Sequence, residues 1–240
     1  MTLDFGFAWK TVTNSWPMYW YGIKITILLA IVGTLFGLLI GLIVGALRGM
    51  PSDPLDTPAQ RFWKKLGRGI TWFYIWVFRG TPMMVQAVFF YYLLRSVLHW
   101  TPLTAGMIII SVNTGAYMSE IIRSGIQSVD KGQVEAAKSL GMTNLQTMLL
   151  VVFPQAIKNT LPSIGNQLIV NIKDSCMLNA IGVTELYFQA TSIAGSTMRY
   201  IEVYFVTALI YLTLTTLATL LLDFIERRIN GSTAHKDFAS

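Results

Sequence analysis

Long apolar runs separated by short basic stretches dominate the chain, and their lengths predict what they form. Several run about 20 residues with few charges, the length a helix needs to cross about 30 Å of hydrocarbon. Five spans are predicted, at about 23–47, 70–98, 103–122, 164–182 and 203–225. The first follows an aromatic segment, WPMYWYG, suited to a membrane interface. Within it Gly33, Gly37, Gly41 and Gly45 recur every fourth residue and bare one helix face for close packing against another helix. The second is interrupted by RGTP (Arg79 to Pro82), because proline removes a backbone donor and disfavours helix at the residue before it. The fourth is the most polar, carrying Asn166, Gln167, Asn171, Lys173 and Asp174, and the fifth is closed by ERR. A membrane β-barrel would alternate apolar and polar residues in short segments, and these runs do not. The expected fold class is an all-α integral membrane protein, a single domain over residues 1–240.

Composition agrees: of 240 residues, 53% are hydrophobic and only 12% charged, with a mean hydropathy of +0.54. The net charge of +6 would suit nucleic acid or an anionic surface, but its distribution points to topology instead. Twelve basic residues fall on one side: Arg48, Arg61, Lys64, Lys65 and Arg68 after the first span; Arg123, Lys131, Lys138 and Lys158 after the third; Arg227, Arg228 and Lys236 in the tail. The other side has three, Lys10, Lys24 and Arg199. Positively charged loops stay inside, so the N-terminus is expected outside and the C-terminus in the cytoplasm. The first apolar run is long enough to read as a span and not a cleaved signal peptide. Cys176 is the single cysteine, which excludes a disulfide within the chain, and His99 and His235 are too far apart in sequence to suggest a metal site.

Between the third and fourth spans, at about 124–158, lies EAAKSLGMTNLQTMLLVVFP. QVEAAKSL reads as a short helix with Ala136 and Ala137 together, leaving room for a surface to come close. Gly141 stands where helices commonly end in the left-handed conformation. Thr143 or Asn144 can cap a second helix through LQTMLLVVF, and Pro154 marks where that helix ends or bends. The pattern fits a bent cytoplasmic plug for another protein, and equally an amphipathic helix lying on lipid.

The spacing of EAA, three residues, Gly, nine residues and VVFP resembles the EAA loop of membrane subunits of binding-protein-dependent ABC importers. Glu135, Ala136, Ala137, Gly141 and Pro154 match it. Val151 and Phe153 stand where the usual pattern has Ile and Leu, which keeps the arm apolar. FRGTPMMVQ, NTGAYMSEIIRSGIQSVDKGQVEAAKSLGM and FPQAIKNTLPSIGNQ are similar to the subfamily that imports polar amino acids, over nearly the whole chain. The resemblance implies a type I importer permease with five spans, whose EAA loop is a coupling helix seated in a groove of a cytoplasmic ATPase dimer. It also implies a second permease chain, identical or paralogous, an extracytoplasmic substrate-binding protein, and the cell membrane of a prokaryote as location. The chain has no G-x-x-x-x-G-K-[ST] phosphate loop, so it is not expected to be an enzyme. ATP and magnesium would be bound by the partner, with no cofactor or metal in this chain.

Polar side chains inside a membrane face protein or a water-filled cavity. Asn113, Tyr117 and Glu120, spaced i, i+4, i+7, share one helix face. Gln167, Asn171 and Asp174 form a second stripe, with Asn166 and Lys173 beside it. A free amino acid needs a guanidinium for its carboxylate and an acceptor for its ammonium. Arg79 is the candidate for the first, assisted by freed backbone N–H groups near Gly80 and Thr81. Glu120 is the candidate for the second, with Asn113 and Tyr117 beside it, although Arg123 is equally placed at i+3 to pair with Glu120. Relatives for basic amino acids often read NE where this chain reads Asn166–Gln167, so a neutral polar substrate such as glutamine is favoured. The alternative function is an ion-coupled secondary carrier using intramembrane carboxylates; against it, no inverted repeat is evident.

Overall fold

The computed structural model describes residues 3–49 and 57–234. Residues 50–56 of the first basic loop, and His235 and Lys236 of the tail, lie outside the described residues. Every regular element among the described residues is helical: α1 (Phe5–Gly49), α2 (Pro58–Gly80), α3 (Met83–Leu98), α4 (Pro102–Gln127), α5 (Lys131–Ser139), α6 (Asn144–Thr147), a π-helical turn (Met148–Val152), α7 (Phe153–Asp174), a 3₁₀ segment (Ser175–Ile181), α8 (Leu186–Thr197) and α9 (Tyr200–Ala234). Three helices are long and apolar enough to cross a membrane, within Phe5–Arg48, Pro102–Gln127 and Tyr200–Arg228, and Met83–Leu98 is a shorter apolar helix. Leu35, Phe36, Leu39 and Ile43 of α1 and Leu212, Leu217, Leu220 and Phe224 of α9 are exposed. Such apolar surface is stable only where hydrocarbon is the solvent.

The helices form two compact units. The first comprises the described parts of Met1–Gly33, Met83–Ile110 and Leu168–Ser240. One of its cores joins Leu29, Met83, Ala87, Tyr91, Ile110 and Leu178; the other joins Ala8, Tyr19 and Ile23 to Leu186, Ile193 and Val203. The second core explains why α1 starts 18 residues before the span expected at Ile23. Hydropathy marks only the lipid-facing run, whereas the upstream turns are held as helix by α8 and α9, despite the ladder bond lost at Pro17. Glu185, fully buried, caps α8: Tyr187 donates its N–H to Oε2 (2.7 Å) and Phe188 to Oε1 (2.8 Å). Tyr211 of α9 donates its hydroxyl to Oε2 at 3.1 Å, and Leu186 donates its N–H to Thr26 Oγ1 of α1 at 3.2 Å.

The second unit comprises the described parts of Thr34–Pro82 and Ser111–Gln167. Its core joins Ile122, Ile126 and Val129 to Met148, Val152 and Ala156. Here the glycine strip makes contact. A Cβ on Gly37 would lie 2.5 Å from Thr114 Cγ2, on Gly41 2.4 Å from Met118 Cβ, and on Gly45 2.9 Å from Ile122 Cβ. The partners rise in the same order as the glycines, so α1 and α4 run parallel and touch backbone to side chain. The basic residues Arg61, Lys64, Lys65 and Arg68, read from sequence as loop, instead lie on α2. Thr57 starts that helix with a capping box: Gln60 donates its N–H to Thr57 Oγ1 at 3.3 Å, and Thr57 donates its N–H to Gln60 Oε1 at 2.9 Å. Pro58 at the first helical position adds to the signal.

Candidate functional site

Three side-chain groups of the second unit surround a cavity of about 720 Å³: Arg79 at the end of α2, Tyr117, Glu120 and Arg123 of α4, and Asn159, Ser163 and Gln167 of α7. Four of the residues expected on a pathway, Arg79, Tyr117, Glu120 and Gln167, therefore converge. The Arg79 guanidinium lies over the Tyr117 ring, 5.4 Å from its centroid, within cation–π range. No ion pair among the described residues includes Arg79.

Glu120 is already occupied. Arg123 donates to its Oε2 from Nε (2.9 Å) and Nη2 (2.7 Å), and Arg48, in the last turn of α1, donates to its Oε1. Arg123 also reaches Gln127 Oε1 at 2.8 Å. With two guanidinium groups on one carboxylate, Glu120 is a poor receptor for a substrate ammonium, and the cavity wall carries net positive charge.

Asn113 and Thr81 both bond to the end of α2 that carries Arg79. The end of α2 leaves carbonyls without helical partners. Asn113 Nδ2 donates to Phe78 O at 3.2 Å, and Thr81 Oγ1 donates to Val77 O at 2.8 Å. Tyr74 adds a bond from its hydroxyl to Val112 O at 2.5 Å. Thr81 itself is extended (φ −127°, ψ 148°), as the residue before Pro82 must be. Both side chains thus fix the helix end that carries Arg79. Asn166 is exposed, and Asn171 is buried within the first unit; neither lines this cavity.

The EAA segment is bent by two consecutive caps. α5 starts at Asp130, whose side chain accepts from Gly132 N–H at 2.8 Å. It ends in a Schellman motif, with Gly141 left-handed (φ 79°), Gly141 N–H bonded to Lys138 O (2.9 Å) and Met142 N–H to Ala137 O (3.2 Å). Thr143, not Asn144, caps the next helix through a capping box with Gln146. The chain does not end its helix at Pro154. Phe153 N–H bonds to Met148 O, and that single π turn widens the helix just where the proline donates no hydrogen bond. Glu135 and Ala136 are exposed, whereas Ala137 packs inward at 4% exposure. Sequence reading passed over Leu140, which is 84% exposed beside them. An apolar residue directly before the glycine cap was its signal.

The model of the family described as "Binding-protein-dependent transport system inner membrane component" matches residues 57–231. The chain is 33% identical over 226 residues to the glutamine transport system permease protein GlnP of Escherichia coli (strain K12), covering 93% of this chain and 98% of that one. It is 34% identical over 233 residues to the L-cystine transport system permease protein TcyB of Bacillus subtilis (strain 168), covering 96% and 94%. Among solved structures, a crystal structure of an amino acid ABC transporter with histidines superposes with a TM-score of 0.81 at 38% identity, over 95% of this chain and 100% of that one. An inward-facing form of the MetNI methionine ABC transporter shares the fold, with a TM-score of 0.74 at 22% identity over 88% and 96%.

Proposed function

Because the chain belongs to the family of inner membrane components of binding-protein-dependent transport systems, we propose that it is the permease subunit of an ATP-driven importer for a neutral polar amino acid, with glutamine the type. The relatives named for glutamine and cystine transport support an amino acid as cargo. The observation that carries the substrate class is the cavity's charge. Arg79, in no ion pair among the described residues and lying over the Tyr117 ring, receives the α-carboxylate, while Glu120 is neutralised by Arg48 and Arg123. Gln167 places an uncharged polar side chain on the same wall. A cationic side chain would meet two or three guanidinium groups and no free carboxylate, so arginine and lysine are disfavoured.

The topology we propose has five spans with the N-terminus outside. Parallel α1 and α4 support it, since two parallel spans require the chain to cross back between them, which is the work of α2 and α3. The positive-inside count then gives the side. The α5–α6 bend, with Glu135, Ala136 and Leu140 outward, is the seat for a cytoplasmic ATPase dimer. A second permease chain and an extracytoplasmic binding protein complete the assembly. ATP and magnesium belong to the partner. Binding and hydrolysis there bias the permease between outward- and inward-facing states through differential affinity. The ion-coupled carrier reading loses its basis, because the intramembrane carboxylate it relied on is held by two arginines.

The test is purification of the tagged chain from native membranes in mild detergent. A stoichiometric ATPase is expected, and in nanodiscs its activity should rise with a binding protein loaded with glutamine and not with arginine. Glu135→Arg should abolish that stimulation while leaving the chain inserted. A chain that purifies alone and moves an amino acid down an ion gradient would overturn the proposal.

A further inference from the structure

A second cavity, of about 500 Å³, opens between the end of α4, α5 and the π turn, all within the second unit. Its floor is apolar: Ile126, Val129, Met148 and Val152 belong to one buried cluster, and Val134 packs beside them. Thr147 lines it at 3% exposure, and its hydroxyl has no hydrogen-bond partner. A helical threonine ordinarily returns its hydroxyl to a carbonyl one turn back, and leaving it unmade in a buried place costs the desolvation of the group. At the rim stand Lys131 and Lys138, seven residues apart on one face of α5. Both are exposed, and neither is in an ion pair among the described residues.

An apolar floor, one buried hydroxyl and two unpaired ammonium groups suit an amphiphile with an anionic head. A free amino acid would leave the floor uncovered, and a purely apolar ligand would leave the hydroxyl and both cations unanswered. The candidate membrane-spanning helix α4 ends at Gln127, which itself lines the cavity, and its last turns carry Glu120, Arg123 and Gln127, side chains suited to the headgroup layer beyond the hydrocarbon. We propose that this cavity binds an anionic phospholipid, with an acyl chain along Ile126, Met148 and Val152, the phosphate between Lys131 and Lys138, and an ester oxygen accepting from Thr147. α5 then has two separate faces. Lys131, Val134 and Lys138 tether it to the membrane, Ala136 and Leu140 stay available on the other side, and Glu135, one turn from both lysines, stands at the border between the two faces. The proposal does not depend on which solute the protein transports.

The full chain, purified with its ATPase, delipidated and titrated with phosphatidylglycerol or phosphatidylcholine, can be read by native mass spectrometry. Phosphatidylglycerol is expected to be retained in clear preference. Lys131→Gln with Lys138→Gln should lower its retention on the order of tenfold, with melting unchanged, given what a basic residue contributes near an anionic headgroup. Thr147→Val should lower it about threefold, the loss of one hydrogen bond. Lys64→Gln with Lys65→Gln on α2, which removes equal charge elsewhere, should leave it unaltered. Equal retention of the two lipids would overturn the proposal. So would either cavity variant behaving as wild type, an equal loss in the α2 pair, or preference for oleate over phosphatidylglycerol.

Discussion

Two carboxylates, one in each unit, are satisfied by opposite means. Glu185 is fully buried and is in no ion pair among the described residues; two backbone N–H groups at the start of α8 and the Tyr211 hydroxyl take both its oxygens. Glu120 lines a cavity with its side chain 18% exposed, and long arginine side chains hold it from two helices. Backbone donors are fixed by the helix they belong to, so Glu185 has one geometry and acts as a structural pin. Guanidinium groups on flexible stems can let go and find water or another anion, so Glu120 belongs to a wall that can rearrange. A transporter needs both kinds, and the difference lies in the donors and not in the acid.

The strongest test of the contrast is Glu185→Ala. It orphans two helix donors and a buried tyrosine hydroxyl, and should cost about 3 kcal/mol, read as an early melt in detergent. Glu185→Gln keeps one acceptor and should cost about half as much. If the alanine variant melts with the wild type, Glu185 is no pin. Next in size, Arg79→Ala should leave melting unchanged and lower transport at limiting substrate about a hundredfold, the loss of one charge-assisted pair. An equal loss in melting would make Arg79 structural. Glu120→Gln should cost about 1 kcal/mol of stability, because its partners remain partly hydrated. A double-mutant cycle with Arg123→Gln should recover about that coupling, and a cycle near 3 kcal/mol would erase the distinction from Glu185. The smallest effect is expected of Cys176→Ser, within about 0.5 kcal/mol with transport kept, since the bonds that hold Glu185 come from Tyr187, Phe188 and Tyr211 and those that hold Glu120 from two arginines.

Local signals in the sequence were read well, and long-range partners were not. Gly141 and Thr143 announce two caps within three residues, and both form. The glycine strip announces a close helix, though only the structure shows that its partner is α4 and parallel. Glu120 with Arg123 is legible as i, i+3, whereas Arg48 lies 72 residues away and cannot be found by spacing. Asn113 shares a face with Tyr117, the pattern of a pathway residue. The RGTP break holds a second clue: a helix that stops inside a membrane leaves carbonyls that need a donor, and Asn113 donates to one of them. Glu185 escaped notice because glutamate is not a common cap, and its tyrosine partner is 26 residues downstream.

The π turn makes residue number matter more than residue kind along the arm from α6 to α7. Leu149 and Leu150 are exposed and should accept many apolar replacements. A deletion between Met148 and Val152 would close an ordinary α-helical turn there. Everything ahead of it would then swing by about 100° around the helix axis, the angle of one residue. Glu135 and Ala136 would point to a new quarter of the compass with every contact of their own helix intact. Among homologous chains, the distance from the glycine cap to Pro154 should accordingly vary less than the amino acids that fill it.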